Sequence, residues 1–316
     1  MYDNLDIKVR DEAGKVDFLA ETTNYFHVTG EHSFNGNTVI TGDFSNYKVS
    51  VSAKGLNLTD GSICKYYLGD NFKTLGRGDT KRAIEMLSDT LHLPIDKARI
   101  SRIDFAQNFI VRQPIVNYFN HFGELPYYKR CPMVQDGTLY YFGGKGLVIF
   151  YDKVKEQRAK GQPIPELYEG RNVLRYETRY TKRLKDTFQV DKVTGAMLYD
   201  ETFYIDLYKR WLTTYNAIKK INDININFEV MKTKQELYKI AVLSFVQSNG
   251  GQMAVLDQIT EAQRLGKDSG GITRKQAHDL KQAINEACKL NAATTIQSDA
   301  IIELDRKVKE AGRFYR

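Results

Sequence analysis

Thr138-Leu139-Tyr140-Tyr141-Phe142-Gly143-Gly144-Lys145-Gly146-Leu147-Val148-Ile149-Phe150-Tyr151-Asp152-Lys153 is the stretch whose reading decides the fold. Two short runs rich in aromatic and β-branched residues, 138–143 and 146–153, flank Gly144-Lys145, a dipeptide suited to a tight turn. That is the pattern of a β-hairpin, and a hairpin makes an antiparallel pair.

Working outward, period-two alternation sorts the neighbouring strands by face. In 102–109, Arg102, Asp104, Ala106 and Asn108 share one face, and Ile103, Phe105, Gln107 and Phe109 the other. In 172–180, Leu174, Tyr176, Thr178 and Tyr180 oppose Arg175, Glu177 and Arg179. Charges on inner strands exceed what a half-buried strand needs. Arg102 and Asp104 suit a surface-facing ladder. Glu177 between two guanidinium groups suits either a salt-bridge ladder, the commoner outcome, or a phosphate or metal site. Strict alternation groups Tyr151 with Leu147 and Ile149, an apolar face. Taken alone, Tyr151 reads as a core tyrosine with its hydroxyl at the rim. To meet the acids it requires a bulge or a nearby strand end.

Before the hairpin, the first 75 residues read as short strands at 5–10, 25–29, 37–41 and 47–53, separated by Gly/Asn/Asp turns. Asp79 reads as the N-cap of a helix over 80–92 that ends before Pro94. A strand at 100–111 follows, then a short helix opened by Pro114. A basic connection at 157–170 leads to the strand at 172–181. After about residue 200 the pattern is helical, at 201–221, 233–247, 251–265, 273–290 and 298–312. The expected fold class is α+β: a mainly antiparallel sheet with flanking helices over 1–195, the catalytic and DNA-binding part, followed by an all-α region over 196–316.

Composition bounds the function. Hydrophobic residues at 42% and charged residues at 27% describe a globular chain without long disordered linkers. Cys64, Cys131 and Cys288, odd in number and widely spaced, suit a reducing cytoplasm and exclude a disulfide framework. No apolar run approaches the roughly 20 residues that span a bilayer, and residues 1–6 carry no secretory pattern. The formal net charge is +7, and residues 125–185, with 13 Lys/Arg against 6 Asp/Glu, hold an excess of the same size. A solvated basic face accounts for such a cluster as readily as a phosphate-rich partner does. The interleaved rings of Tyr127, Tyr128, Tyr140, Tyr141, Tyr168, Tyr176 and Tyr180 favour a single-stranded nucleic acid. Gly76-Arg77-Gly78 and Gly143-Gly144-Lys145-Gly146 lack the spacing of a nucleotide-binding loop, so the chain is not expected to be its own helicase. His27, His32, His92, His121 and His278 form no His-hydrophobic-His motif.

The trio Arg102-Ile103-Asp104-Phe105-Ala106, Tyr141-Phe142-Gly143 with Ile149-Phe150-Tyr151-Asp152-Lys153, and Leu174-Arg175-Tyr176-Glu177 resembles rolling-circle replication initiators. These are the gene II/X-type replication proteins of filamentous phages and related plasmids, and the related Rep_trans initiators of Gram-positive plasmids. The separations, 47 residues from Asp104 to Tyr151 and 26 from Tyr151 to Glu177, are also similar, and the likeness covers about 80–185. It implies an HUH-like sheet in which acids replace the metal-binding histidines, and a DNA endonuclease and strand transferase that nicks origin DNA through a 5′-phosphotyrosine and rejoins the strands.

Carried over residue by residue, the resemblance makes Tyr151 the nucleophile, with Lys153 and Arg175 as basic catalytic groups. It makes Asp104 and Glu177 ligands of Mg²⁺ or Mn²⁺. The plasmid initiators carry a second acid where this chain has Asn108, and another where it has Arg179, so the ion would be completed by Asn108, Asp152 or water. Arg102, Lys129, Arg130, Lys145 and Arg179 are expected to contact DNA. The implied partners are single-stranded origin DNA and a host helicase, with no membrane, in the cytoplasm of a bacterial host. Two other classes fit the residues: a non-catalytic origin- or single-strand-DNA-binding protein controlling replication, and a single-strand-binding or packaging factor. The helical tail reads as a DNA-reading or helicase-docking module or as packing on the sheet.

Overall fold

The computed structural model describes residues 1–11, 16–34, 36–133, 136–144, 146–224, 233–266, 270–289 and 295–312. Ten strands form one antiparallel sheet. They are β1 (Tyr2–Arg10), β2 (His27–Phe34), β3 (Asn37–Phe44), β4 (Tyr47–Ser52), β5 (Gly55–Thr59), β6 (Arg99–Val111), β7 (Tyr128–Met133), β8 (Thr138–Gly143), β9 (Gly146–Asp152) and β10 (Asn172–Tyr180). Their spatial order is β2-β3-β4-β5-β1-β6-β10-β9-β8-β7. The expected hairpin is β8–β9. At Gly146 a Cβ would fall 2.5 Å from the Arg179 carbonyl oxygen, so only glycine lets β9 begin this close to β10.

Several elements depart from the sequence reading. β5 and β7 were not expected. β7 contains Pro132, which cannot donate to a ladder; the strand tolerates it because it lies at the sheet edge, paired only to β8. Residues 23–25 form a 3₁₀ turn, and β2 begins at His27. Asp79 is not the N-cap of its helix. α3 (Arg77–Leu91), preceded by α1 (Phe18–Thr22) and α2 (Ile63–Leu68), is capped at Gly76, whose N–H donates to Asp79 Oδ2 at 3.3 Å.

β9 stops at Asp152, one residue short of Lys153. Asp152 Oδ1 accepts the Lys155 N–H at 2.9 Å and so caps α5 (Lys153–Ala159), which follows α4 (Ile115–Asn120) in the chain. The Asp152 carboxylate is thus a helix cap, and Lys153 opens a helix instead of ending a strand.

One face of the sheet carries the core. Ile103, Phe105, Val148, Phe150 and Tyr176 point there with Leu5 and Ile7, and all are buried. The Phe150 and Tyr176 rings stack at 4.6 Å, and Tyr176 meets Trp211 at 4.6 Å. Trp211 lies on α7 (Glu201–Ala217), which follows α6 (Leu184–Phe188). Truncating any one of these rings to alanine costs about 3–5 kcal/mol.

The helical region continues with α8 (Lys234–Ser248), α9 (Gln252–Leu265), α10 (Arg274–Cys288) and α11 (Asp299–Ala311). α7 and α11 share the sheet's hydrophobic cluster through Trp211, Tyr215, Ile301 and Leu304. α8, α9 and α10 close around a separate one of Val246, Val255 and Ile284. Among the described residues no helix is long and apolar enough to cross a membrane.

Candidate active site

The other face of β6, β10, β9, β8 and β7 is built in rows, because directly opposed residues of an antiparallel pair point the same way. The first row is Asn108, Arg175, Tyr151, Thr138 and Met133. The second is Ala106, Glu177, Ile149, Tyr140 and Cys131. The third is Asp104, Arg179, Leu147, Phe142 and Lys129. The register from Asp152 to Gly146 is unbroken, so no bulge is needed. Alternation does group Tyr151 with Leu147 and Ile149, but their face is the one that carries the acids. Tyr151 stands directly opposite Arg175. Phe72, Val154, Val173 and Tyr168 pack as a small apolar wall beyond the first row.

Six charges on this face pair off. Arg102 binds Asp104 through both Nε (3.0 Å) and Nη2 (2.6 Å). Arg179 spans the two carboxylates, with Nε 3.1 Å from Asp104 Oδ2 and Nη2 2.8 Å from Glu177 Oε1. Arg175 donates to Asp3, to the Asn71 carbonyl at 3.1 Å and to Asn108 Oδ1 at 3.1 Å. Asp104, Arg175 and Glu177 are almost fully buried. Arg175 Nε is buried without a hydrogen bond, 3.6 Å from Glu177 Oε2. The amide of Asn108 donates to the carbonyls of Asn71 and Phe72, at 3.0 Å each, so this side chain braces a loop as well as Arg175.

Protonation follows from this packing. Burial, reinforced by Glu177, pushes the Asp104 carboxyl up to about 7 against the pull of Arg102 and Arg179. Burial likewise pushes the Tyr151 phenol well above its ordinary value of 10.0, opposed by the facing Arg175. Desolvation works against the Arg175 cation, yet Asp3, Tyr151 and Glu177 hold it charged. Lys153 is buried, donates to Glu156 at 2.8 Å and lies over the Phe72 ring. Burial and Arg175 bring its amine down to about 8.

Among the described residues no group of three or more His, Cys, Asp or Glu side chains is arranged to hold a metal ion. Asp104 and Glu177 supply the hard oxygen donors that Mg²⁺ or Mn²⁺ takes. Their burial and mutual repulsion call for a cation between them, and the guanidinium of Arg179 is there. The pair therefore fits two ligands of an ion that would take the place of Arg179.

The residues expected to contact DNA are dispersed. Lys129 is exposed in the third row. Arg130 points to the opposite side, where it binds Asp257 at 2.6 and 2.8 Å and the carbonyls of Phe119 and Phe122. Arg102 and Arg179 are engaged by the acids. Lys145 lies outside the described residues. Asp3, the acid that binds Arg175, was not singled out by the sequence. A bulge between Tyr2 and Leu5 turns it to the charged face, against strict alternation. Tyr176 is fully buried on the core face with its hydroxyl on the Trp211 carbonyl at 2.8 Å.

The sheet thus gathers a tyrosine, arginines and paired acids on one face. The family model for the N-terminal part of the gene II replication-associated protein matches residues 1–211, from β1 through most of α7. The chain belongs to this family of phage replication-associated proteins, whose role is in the initiation of DNA replication and which bind DNA. No curated protein matches the chain.

Proposed function

We propose that this chain is a rolling-circle nickase in which Tyr151 is the nucleophile. The observation that carries the reading is the unbroken register opposing Tyr151 to Arg175, with Glu177 and Asp104 in the next two rows of the same face. Replication proteins of the gene II type are generally nickases, which supports it.

In this reading Tyr151 Oη bonds to the phosphorus of the scissile phosphate in single-stranded origin DNA. The bond from phosphorus to the 3′ oxygen breaks, leaving a 5′-phosphotyrosine and, after protonation by water, a free 3′-OH for a polymerase. The reverse attack by a 3′-OH rejoins the strand. Arg175 opposes the rise of the phenol, and its guanidinium, on the residue directly opposite Tyr151, is the charge that would stabilise the phosphate. In this reading Lys153, two residues beyond Tyr151 and bonded to Glu156, would accept the phenolic proton once its amine has lost its own. A divalent ion on Asp104 and Glu177 would neutralise charge on the phosphate oxygens. Arg179→Ala vacates the position between these carboxylates, so it should tighten Mn²⁺ binding in calorimetry; unchanged Mn²⁺ affinity would remove these two acids as ligands.

The saturation of both carboxylates by arginine also favours a second reading, a DNA-binding protein without nicking activity. Incubating the protein with Mn²⁺ and single-stranded origin DNA, followed by mass spectrometry, decides between them. A DNA adduct on Tyr151 that Tyr151→Phe abolishes supports the nickase. Binding with no adduct supports the second reading.

A further inference from the structure

β8 contributes two aromatic rings to the charged face, and neither is needed by the core. The core side of this strand is filled by Leu139 and Tyr141, both fully buried. Tyr140 and Phe142, two residues apart, instead stack on each other over the solvent side, with centroids 5.4 Å apart and planes at 20°. Phe142 is 50% exposed. Leaving Phe142 half in water beside a partly covered Tyr140 has a cost that core packing does not explain.

Their position relates them to the nucleophile. Thr138 opposes Tyr151, so Tyr140 is one strand over and two residues along, and Phe142 four along. With strands about 4.8 Å apart and about 3.4 Å per residue, Tyr140 is roughly 8 Å and Phe142 roughly 14 Å from the Tyr151 backbone. Those spans suit the first unpaired nucleotides beside a scissile phosphate. Cations border the pair: exposed Lys129 shares the row of Phe142, and exposed Lys182 and Arg183 follow the same end of β10. Rings that offer their faces between cations match a single strand, whose bases stack while its phosphates are neutralised.

We propose that Tyr140 and Phe142 form a base-stacking platform that holds one or two unpaired nucleotides next to the scissile phosphate at Tyr151. The proposal rests on the nickase reading for the location of the phosphate. The platform would make the enzyme depend on bases beside the cut as well as on the backbone, and it would position the strand without touching the reacting atoms.

The test uses full-length protein carrying Tyr151→Phe, so that binding is read without cleavage. Two single-stranded probes are compared: an oligonucleotide carrying the fluorescent base 2-aminopurine, and one of the same length with abasic sites in place of the bases beside the cut. The Tyr140→Ala/Phe142→Ala variant should bind the base-bearing strand about tenfold more weakly for each ring lost and should no longer quench 2-aminopurine. It should bind the abasic strand as its parent does, and Phe142→Tyr should retain binding. Equal losses on both probes would assign the rings a merely structural role, and no loss on either would show that the patch serves another partner, such as a protein; both results overturn the platform. The adduct assay on the otherwise unaltered protein keeps the two readings apart. An adduct with no base dependence sinks the platform alone, whereas base-dependent binding with no adduct sinks the nickase and, with it, the placing of the platform beside a scissile phosphate, leaving only base stacking on these rings.

Discussion

The two faces of β6, β10 and β9 share one backbone and one register, yet they do opposite things with the same residue type. On the covered face Tyr176 stacks on Phe150 and Trp211, and its hydroxyl is tied to a carbonyl. On the other face Tyr151 is partly exposed, faces a guanidinium, and no described hydrogen bond ties its hydroxyl. The first tyrosine is fixed by packing, and the second stands opposite a charge. On the nickase reading the face decides which tyrosine can react, because the covered face leaves no room for a phosphate.

Exchanging hydroxyls across the sheet gives the largest contrast. Tyr151→Phe should abolish covalent DNA attachment and leave the unfolding midpoint, followed by the fluorescence of the single tryptophan, Trp211, nearly unchanged. Tyr176→Phe should keep the adduct and cost about 1–3 kcal/mol, since a buried carbonyl loses its donor. The comparison breaks if Tyr176→Phe stops nicking and Tyr151→Phe does not.

Arg175→Met comes next. It leaves the buried carboxylate of Asp3 without its cation, while Glu177 keeps Arg179, so denaturant unfolding should show a loss of about 3–5 kcal/mol as well as lost nicking. A charged face that tolerated this change would not be held together by its ion pairs.

The pH dependence of Lys153 is a finer probe. Its amine is depressed from 10.5 to about 8 in the folded protein, so the protonated form costs stability. That cost is full below pH 8 and fades as pH rises to the unfolded value of 10.5. Lys153→Met should therefore be more stable than the parent at neutral pH by about 1–3 kcal/mol, an advantage that vanishes above 10.5. In the parent the nicking rate should climb with pH toward a plateau above about 8, and the variant should lose that limb.

Lys129 and Arg130 give the smallest effects and separate the faces again. Lys129→Ala should lower the salt slope of DNA binding by about one and leave stability within about 0.5 kcal/mol. Arg130→Ala should leave the salt slope alone and cost about 2 kcal/mol through Asp257, whose carboxylate loses its partner.

Much of this was legible in the sequence, for definite physical reasons. The turn glycines and alternating strands announced the hairpin and sorted Asp104, Glu177 and Arg175 onto a common kind of face. Which sides of adjacent strands coincide depends on pairing, so alternation alone could not show that the apolar companions of Tyr151 shared the face of the acids. Lys153 was misplaced because the switch from strand to helix at Asp152 rests on one cap hydrogen bond. Asp3 was hidden by a bulge, and its partner is 172 residues away. β7 was missed because Pro132 and the neighbouring charges obscure an edge strand. The stacking of Tyr140 on Phe142 follows from their spacing of two once β8 is known to be half-covered.

The link from Asp3 to Arg175 also has a consequence in time. β1 lies in the middle of the sheet, between β5 and β6, and its acid waits for an arginine on the last strand of that sheet to be synthesised. Closing a loop of that length is slow, and a growing chain cannot assemble the charged face until β10 has left the ribosome. On the nickase reading, the nascent protein is therefore unable to cut the DNA around it until the sheet is complete.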